Sequence, residues 1–539
     1  MKNNFPVLLL AAVLISAAGI SGCSNKTDGG TRSPDADSAA PAKMEVSYPI
    51  TASGEKKLSF WIPIAPVATK HISSYNENIA YQEISKNTGV EVDFIHPVTG
   101  QEREQLGVLI ASGDLPDIIE IRGLYTGGSS AGVADGLFLD MTEMIPVHAP
   151  DYYREITRSD LSYRIATNND NSITDFLLIK QRAPVFRRAN YRQDVMDKLG
   201  LDVPITVADY EDDFAKMKAA GLTGFAPQAD GRIDLFMWPY GIAPGFYLGS
   251  DGKVKFGEAE PAYKQYLELM NGWYNKGYIS KDFTSNMLMP QRQALFTTNQ
   301  VSMIINPVDL VLSACNPSGI IPVPLPYPRL HEGQPIHFQP VSFETLPLRA
   351  EPFNTVVTSS CKSPEVAVEY LNYFYTREGA DICNWGIKDL TYTVDPGGKK
   401  TFTDYMLRNE KIPLADVQFV LKMHQCAKLS EPDVLCNPNV VYDSFALEIR
   451  NRYSDDATID DFQVLPPFQL GLEDSQARAA IMRDINTYIN EMTLKFITNV
   501  TPLSEFENYL AQIKAMNIDE AIDITAKGYE QFMTKPGIR

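Results

Sequence analysis

Several short signatures of enzyme chemistry occur in this chain, and each lacks the context it needs. Gly128-Ser129-Ser130-Ala131-Gly132 has the G-x-S-x-G spacing that exposes a nucleophilic serine between a strand and a helix. Here Tyr125-Thr126-Gly127 intervene on one side, and Val133-Ala134-Asp135-Gly136 is a poor helix start on the other. A Gly/Ser loop lining a cleft is the expectation. His331-Glu332 has the opening of a zinc-protease helix, but the next histidine is His337 and Pro335 breaks any helix between them. Gly127 and Gly132 keep the P-loop interval, yet Val133 stands where the lysine belongs. Asp212 and Asp213 fall in a predicted helix and read as a solvated face. Glycoside hydrolysis needs two opposed carboxylates, and spacing along the chain defines no such pair.

The cysteines do not supply a metal site either. Cys315, Cys361, Cys383, Cys426 and Cys436 follow Cys23, and none has C-x-x-C spacing. Cys426 and Cys436 are close enough to close a short loop outside the cytoplasm, and an odd count leaves at least one thiol unpaired or bonded between chains.

The N-terminus sets the compartment. Met1 and Lys2 precede an apolar run from Val7 to Ile15, then small residues, then Ile20-Ser21-Gly22-Cys23. That order reads as a signal peptide, residues 1–22, and the run is short for a membrane span. The last four residues resemble a bacterial lipobox, which implies lipidation of Cys23 (palmitate among the acyl groups) and anchorage at the outer face of the cell membrane. Residues 23–51 are expected to be a flexible tether, poor in large apolar side chains from Ser24 to about Ser47. Apolar residues at 44% and charged residues at 21% suit a globular body with more than one core. A formal charge of -19 argues against nucleic acid, whose phosphates need clustered Lys and Arg.

The elements expected to carry any site alternate strand and helix. Lys57–Trp61 reads as a strand, Asn78–Lys86 as a helix, Val90–Ile95 as a strand, Glu102–Ser112 as a helix and Asp117–Ile121 as a strand. This alternation implies a parallel α/β sheet. Further helices are predicted over Gln193–Lys198, closed by Gly200, over Asp209–Ala219, and over Pro261–Asn275, where Tyr263, Leu267, Met270 and Tyr274 recur at helical spacing. Trp273 belongs to that stripe and reads as structural. Ser363-Pro364 opens another helix, and Ile481, Ile485, Tyr488 and Met492 mark a long late one.

Several segments together resemble one family. "SGDLPDIIE" (112–120), "ADGLFLDMTEM" (134–144), "RQDVMDKLGLDVP" (192–204), "YKQYLELMNGWYNKGYISKDF" (263–283), "SPEVAVEYLNYFYTREGADICNWGI" (363–387) and the stretch near "DINTYINEMTLKFI" resemble, in order and spacing, the family-1 extracellular solute-binding proteins. Val195 replaces a common Trp, and Lys388-Asp389 follow Asn384-Trp385-Gly386-Ile387 where the family commonly has Glu-Gly. The resemblance implies an α/β, two-lobe, periplasmic-binding-protein-like (type II) fold with a hinge and an interlobe ligand cleft. It divides the body into lobe one, 52–185 plus 345–395, and lobe two, 186–344 plus 396–539. It further implies a monomeric, non-enzymatic protein that hands a carbohydrate, often an oligosaccharide, to the permease subunits of an ABC importer. A sensory partner of a membrane receptor and a surface carbohydrate-active enzyme are the alternatives. Some relatives carry a calcium loop; Ala220 to Phe225 lacks the carboxylates for one, so no metal and no cofactor is expected.

Ligands of open α/β sheets bind beyond the carboxyl ends of strands. Trp61, Arg122, Tyr125, Phe186, Arg187, Trp238, Tyr240 and Trp385 are the residues expected there. Aromatic faces cover the C–H faces of a sugar, and the arginines bond its hydroxyls.

Overall fold

The strand and helix periods seen in the sequence produce a large core in each lobe, with smaller clusters beside them. The computed structural model describes residues 45–181, 187–227, 234–284, 289–335, 345–347, 353–424, 426–431, 433–454 and 465–538. The signal peptide, most of the tether, Cys23 and Phe186 lie outside them.

The first sheet has five strands in the order Glu91–Ile95, Lys57–Trp61, Ile118–Glu120, Asn354–Val357, Phe176–Leu177. The first three run parallel, with Lys57 opposite Glu91 and Trp61 opposite both Ile95 and Ile119. Side chains alternate between faces. Leu58, Phe60 and Ile118 therefore join one core, while Trp61, Ile119 and Ile121 join another against Phe138. Both faces are buried, as a parallel sheet requires. The helix Ile79–Thr88 starts where Asn78 accepts from the Ala80 and Tyr81 amides, and it stops at Gly89, φ 71°. The helix Glu102–Ser112 stops in the same way at Gly113, φ 72°.

The second sheet runs in the order Pro322–Pro324, Arg187–Arg192, Val301–Pro307, Thr223–Phe225. Its core is aromatic. Trp273, fully buried, meets Phe236 and Phe214 edge-on at 4.9 and 5.1 Å and donates its indole N–H to Glu211 at 3.2 Å. A third, three-stranded sheet, Thr345–Pro347, Ile179–Gln181, Leu429–Ser430, includes the segments by which the chain leaves the first sheet and returns to it. No helix among the described residues is long and apolar enough to cross a membrane.

Four expectations change. The body begins earlier than residue 52: Ile50 is buried in the first core, and the Tyr48 hydroxyl donates to the Glu369 carbonyl at 3.0 Å. Residues 396–436 belong with the first core, not the second. Phe402, Met406, Val417, Val420 and Cys436 pack there, and only at Val440, Ala446 and Ile449 does the chain join Val308 and Leu312 of the second lobe. Gly128–Ala134 is a short helix, not a loop; Gly127, φ 82°, makes the turn that the preceding residues could not signal. Cys315, Cys361, Cys383, Cys426 and Cys436 are all free thiols, so Cys426 and Cys436 close no loop.

Candidate functional site

The first-lobe site begins where the Ile118–Glu120 strand ends. Glu120 is fully buried and is the ion-pair partner of Arg122. Burial pushes the Glu120 carboxyl above the usual carboxylate range, against the pull of Arg122. Arg122 sits at φ 42°, a conformation that costs a side-chain-bearing residue energy. Its guanidinium lies 5.2 Å from the centre of the Phe353 ring. Beside it, the buried Asp175 carboxylate accepts from Ser129 Oγ and Asn354 Nδ2, each at 3.0 Å.

Three residues on, the chain opens a cavity of about 470 Å³. Tyr125, Arg103, Leu106, Leu124 and Asp135 form its first-lobe side; Leu472 and Gln476, from the start of the helix Leu472–Ile497, form the other. The Tyr125 hydroxyl donates to the Asp135 carboxylate. Burial first, then that bond, pushes the Tyr125 hydroxyl up to about 12. Arg103 holds the turn by donating to the Leu124 carbonyl at 2.6 Å. Gly127 permits the close approach of the far wall: a Cβ there would stand 3.0 Å from Leu472 Cδ1. An aromatic ring, two charges of opposite sign and an amide around an apolar floor can stack a pyranose or furanose ring and bond its hydroxyls.

The carboxyl edge of the second sheet holds a second group. Arg188, 2% exposed, donates to the Leu325 carbonyl at 3.2 Å and lies 5.2 Å from the Tyr327 ring centre. Trp238 meets that same ring edge-on at 5.1 Å. Asn306, opposite Arg188 in register, is 2% exposed, and its amide nitrogen finds no acceptor among the described residues.

Of the expected residues, Phe186 lies outside the described ones, and those described occupy different surroundings. Tyr125 lines the cavity, and Arg122 stands near it. Trp238 is half-buried beside Tyr327. Tyr240 is half-buried too, its hydroxyl pushed up to about 12 by burial, with Glu268 and Glu211 adding to the shift. Arg187 is the first residue of its strand, opposite Pro307. Trp61, 1% exposed, is core: its position in the strand turns it to the Ile119 face, and its ring has no free side. Trp385, 5% exposed, packs on Phe402 at 4.7 Å, with the Lys400 ammonium 5.6 Å from its ring. Leu472, Gln476, Arg103 and Asp135 were not singled out from the sequence. Nothing local distinguishes Gln476 from any other polar residue of a long helix. Ser130, the serine of the G-x-S-x-G spacing, is half-buried within the helix Gly128–Ala134, and Ser129 before it is 1% exposed and bonded to Asp175.

The family model for bacterial extracellular solute-binding proteins matches residues 68–381, more than half of the 539-residue chain. The chain belongs to that family. Among the relatives of this solute-binding protein is the fructooligosaccharide ABC transporter substrate-binding protein FusA of Streptococcus pneumoniae, 23% identical over 576 residues that cover 98% of this chain and 97% of FusA. The polygalacturonan/rhamnogalacturonan-binding protein YtcQ of Bacillus subtilis is 25% identical over 329 residues, 58% of this chain and 59% of YtcQ. The solved structure of S. pneumoniae FusA in complex with kestose superposes with a TM-score of 0.70 at 18% identity, covering 89% of this chain and all of that one. The likeness is one of fold: two α/β lobes of the type II binding-protein class. The family and these neighbours are binding proteins, not enzymes.

Proposed function

We propose that this solute-binding protein captures an oligosaccharide between its lobes and delivers it intact to the permease of an ABC importer. The observation that carries this reading is the cavity at the carboxyl edge of the first sheet, where Tyr125, Arg103 and Asp135 stand across from Leu472 and Gln476. Its mix of one ring, charges of both signs and apolar floor suits a sugar, and the relatives FusA and YtcQ are both carbohydrate-binding proteins. Arg122, Trp238 and Tyr327 are the residues proposed to extend contact with a longer chain. Lipidation at Cys23 is proposed to hold the protein at the outer face of the membrane, with residues 24–44 as tether, and the working form is a monomer.

The test is calorimetric titration of the soluble body with kestose-type fructooligosaccharides and with oligogalacturonates, followed by chromatography of the sugar. Saturable binding with the sugar recovered unchanged supports capture. Shortened products would show an enzyme instead, and no heat with either sugar class would remove the carbohydrate reading.

A further inference from the structure

We propose that the C-terminal tail, residues 535–538, clasps the two lobes together and sets the width of the Tyr125 cavity, with Lys535 as its positioning residue; this rests on the reading of that cavity as the oligosaccharide site. The last helix, Ile518–Thr534, is rooted in the second core through Ile518 and Ala521. It lies along the helix Leu472–Ile497. Between the two, the Lys527 ammonium meets Asp474 at 3.0 Å, and Arg478 donates to Thr525 at 3.4 Å.

The far end of this helix leaves its own lobe. Phe532, 4% exposed, packs on Ile165 and Leu161 of the helix Asp160–Ala166, with Phe468 beside them. Lys535 follows, 6% exposed. Its ammonium donates to the Thr167 carbonyl at 2.8 Å and the Arg164 carbonyl at 3.2 Å. Arg164 Nε donates back to the Lys535 carbonyl at 3.0 Å, and the Ile538 amide donates to Asp160 Oδ1 at 3.1 Å. The carbonyls at the end of a helix have no partner within it and carry the negative end of its dipole. A buried ammonium satisfies both needs. The short helix it caps is itself rooted in the first lobe, since Ala166 belongs to the first core.

The consequence falls on the cavity. Leu472 and Gln476 are the wall opposite Tyr125, and they begin the helix to which the last helix is paired. Fixing the end of this helical pair on the first lobe fixes that wall. A hinge made only of crossing strands would let the lobes part freely, whereas a tether away from those strands opposes opening. Without the clasp the ligand-free lobes spread, the closed population falls, and apparent affinity falls by the same factor.

The variants are Lys535→Met, which keeps the stem and removes the ammonium, Asp160→Ala, which acts from the other lobe, and a chain ending at Thr534. Each is measured as the soluble body, with urea unfolding to confirm that it is folded. In small-angle scattering without ligand, the radius of gyration should exceed wild type. Titrated with kestose and with oligogalacturonate, affinity should drop about three- to tenfold for whichever sugar wild type binds. Folded variants with wild-type scattering and wild-type affinity overturn the clasp, as does a gain in affinity. If wild type binds neither sugar, the cavity reading is what fails, and scattering alone decides the clasp.

Discussion

Trp61 and Tyr125 are both aromatic residues close to the carboxyl ends of first-sheet strands, and the structure gives them different surroundings: Trp61 is core, and Tyr125 lines the cavity. Trp61 is 1% exposed among Ile119, Ile121 and Phe138. Trp61→Ala should therefore cost about 3–5 kcal/mol of stability, read as a shift in the urea midpoint, through the cavity it leaves. Tyr125→Ala, at a ring only partly buried against Phe138, should cost less stability than Trp61→Ala and weaken oligosaccharide binding by about 10–100-fold in a calorimetric titration. Asp213 makes a third case. It shares a helix with the exposed Asp212, yet it is 5% exposed, and burial pushes its carboxyl up to about 6. A folded-state value above the unfolded one, near 3.9, means that the proton is held more tightly in the folded chain. Its stabilising effect is complete below about pH 4 and is lost as pH rises through about 6. The stability of wild type relative to Asp213→Asn should accordingly fall between pH 4 and pH 7, with urea unfolding at both pH values as the measure.

At the scale of elements, caps and glycines decide where the site residues stand. The helix Val207–Ala219 opens with a reciprocal box: Thr206 Oγ1 accepts from the Asp209 amide at 3.2 Å, and the Asp209 carboxylate accepts from the Thr206 amide at 2.8 Å. Those bonds to Thr206 and Ile205 hold the Asp209 carboxyl below its usual range. Thr206→Ala should remove about 1 kcal/mol, measured by chemical denaturation, without touching ligand affinity. The predicted start of this helix fell two residues late, because Val207 and Ala208 carry no helical period of their own. The helix Gly128–Ala134 was missed altogether. Its composition is poor, but tertiary contact holds it: at Gly132 a Cβ would stand 2.1 Å from the Phe138 ring, so helix and ring pack as closely as glycine permits.

At the scale of the molecule, a large core in each lobe and a small sheet between them account for the fold, and the C-terminal helix makes a further contact with the first lobe through Phe532 and Lys535. The crossing near residue 437 is the one placed wrongly by chain order. Residues 396–436 read as second-lobe only because they follow a return segment; their apolar side chains fit the first core. The anchor belongs to this scale as well. Cys23→Ser should release the protein from the membrane fraction into the medium, scored by blotting the two fractions; retention on the membrane would remove the lipid assignment.

By itself the sequence determined the alternation of strands and helices, the position of Gly200 at a helix end, the family, and the poverty of the enzyme signatures. These are properties of short windows: hydrophobic period, turn chemistry and spacing act over a few residues and survive without knowledge of the fold. Only the tertiary structure decided which of the expected aromatics line a cavity and which are packed away. Trp61 and Trp385 occupy the expected ends of elements, but which side of a strand or helix meets a core depends on partners far along the chain. It also decided that Leu472 and Gln476 stand across from Tyr125, and that Lys535 reaches Arg164 and Thr167. Those contacts join residues separated by more than 300 positions, and no local preference encodes them; they exist because the two cores and their helices can be packed together in that arrangement.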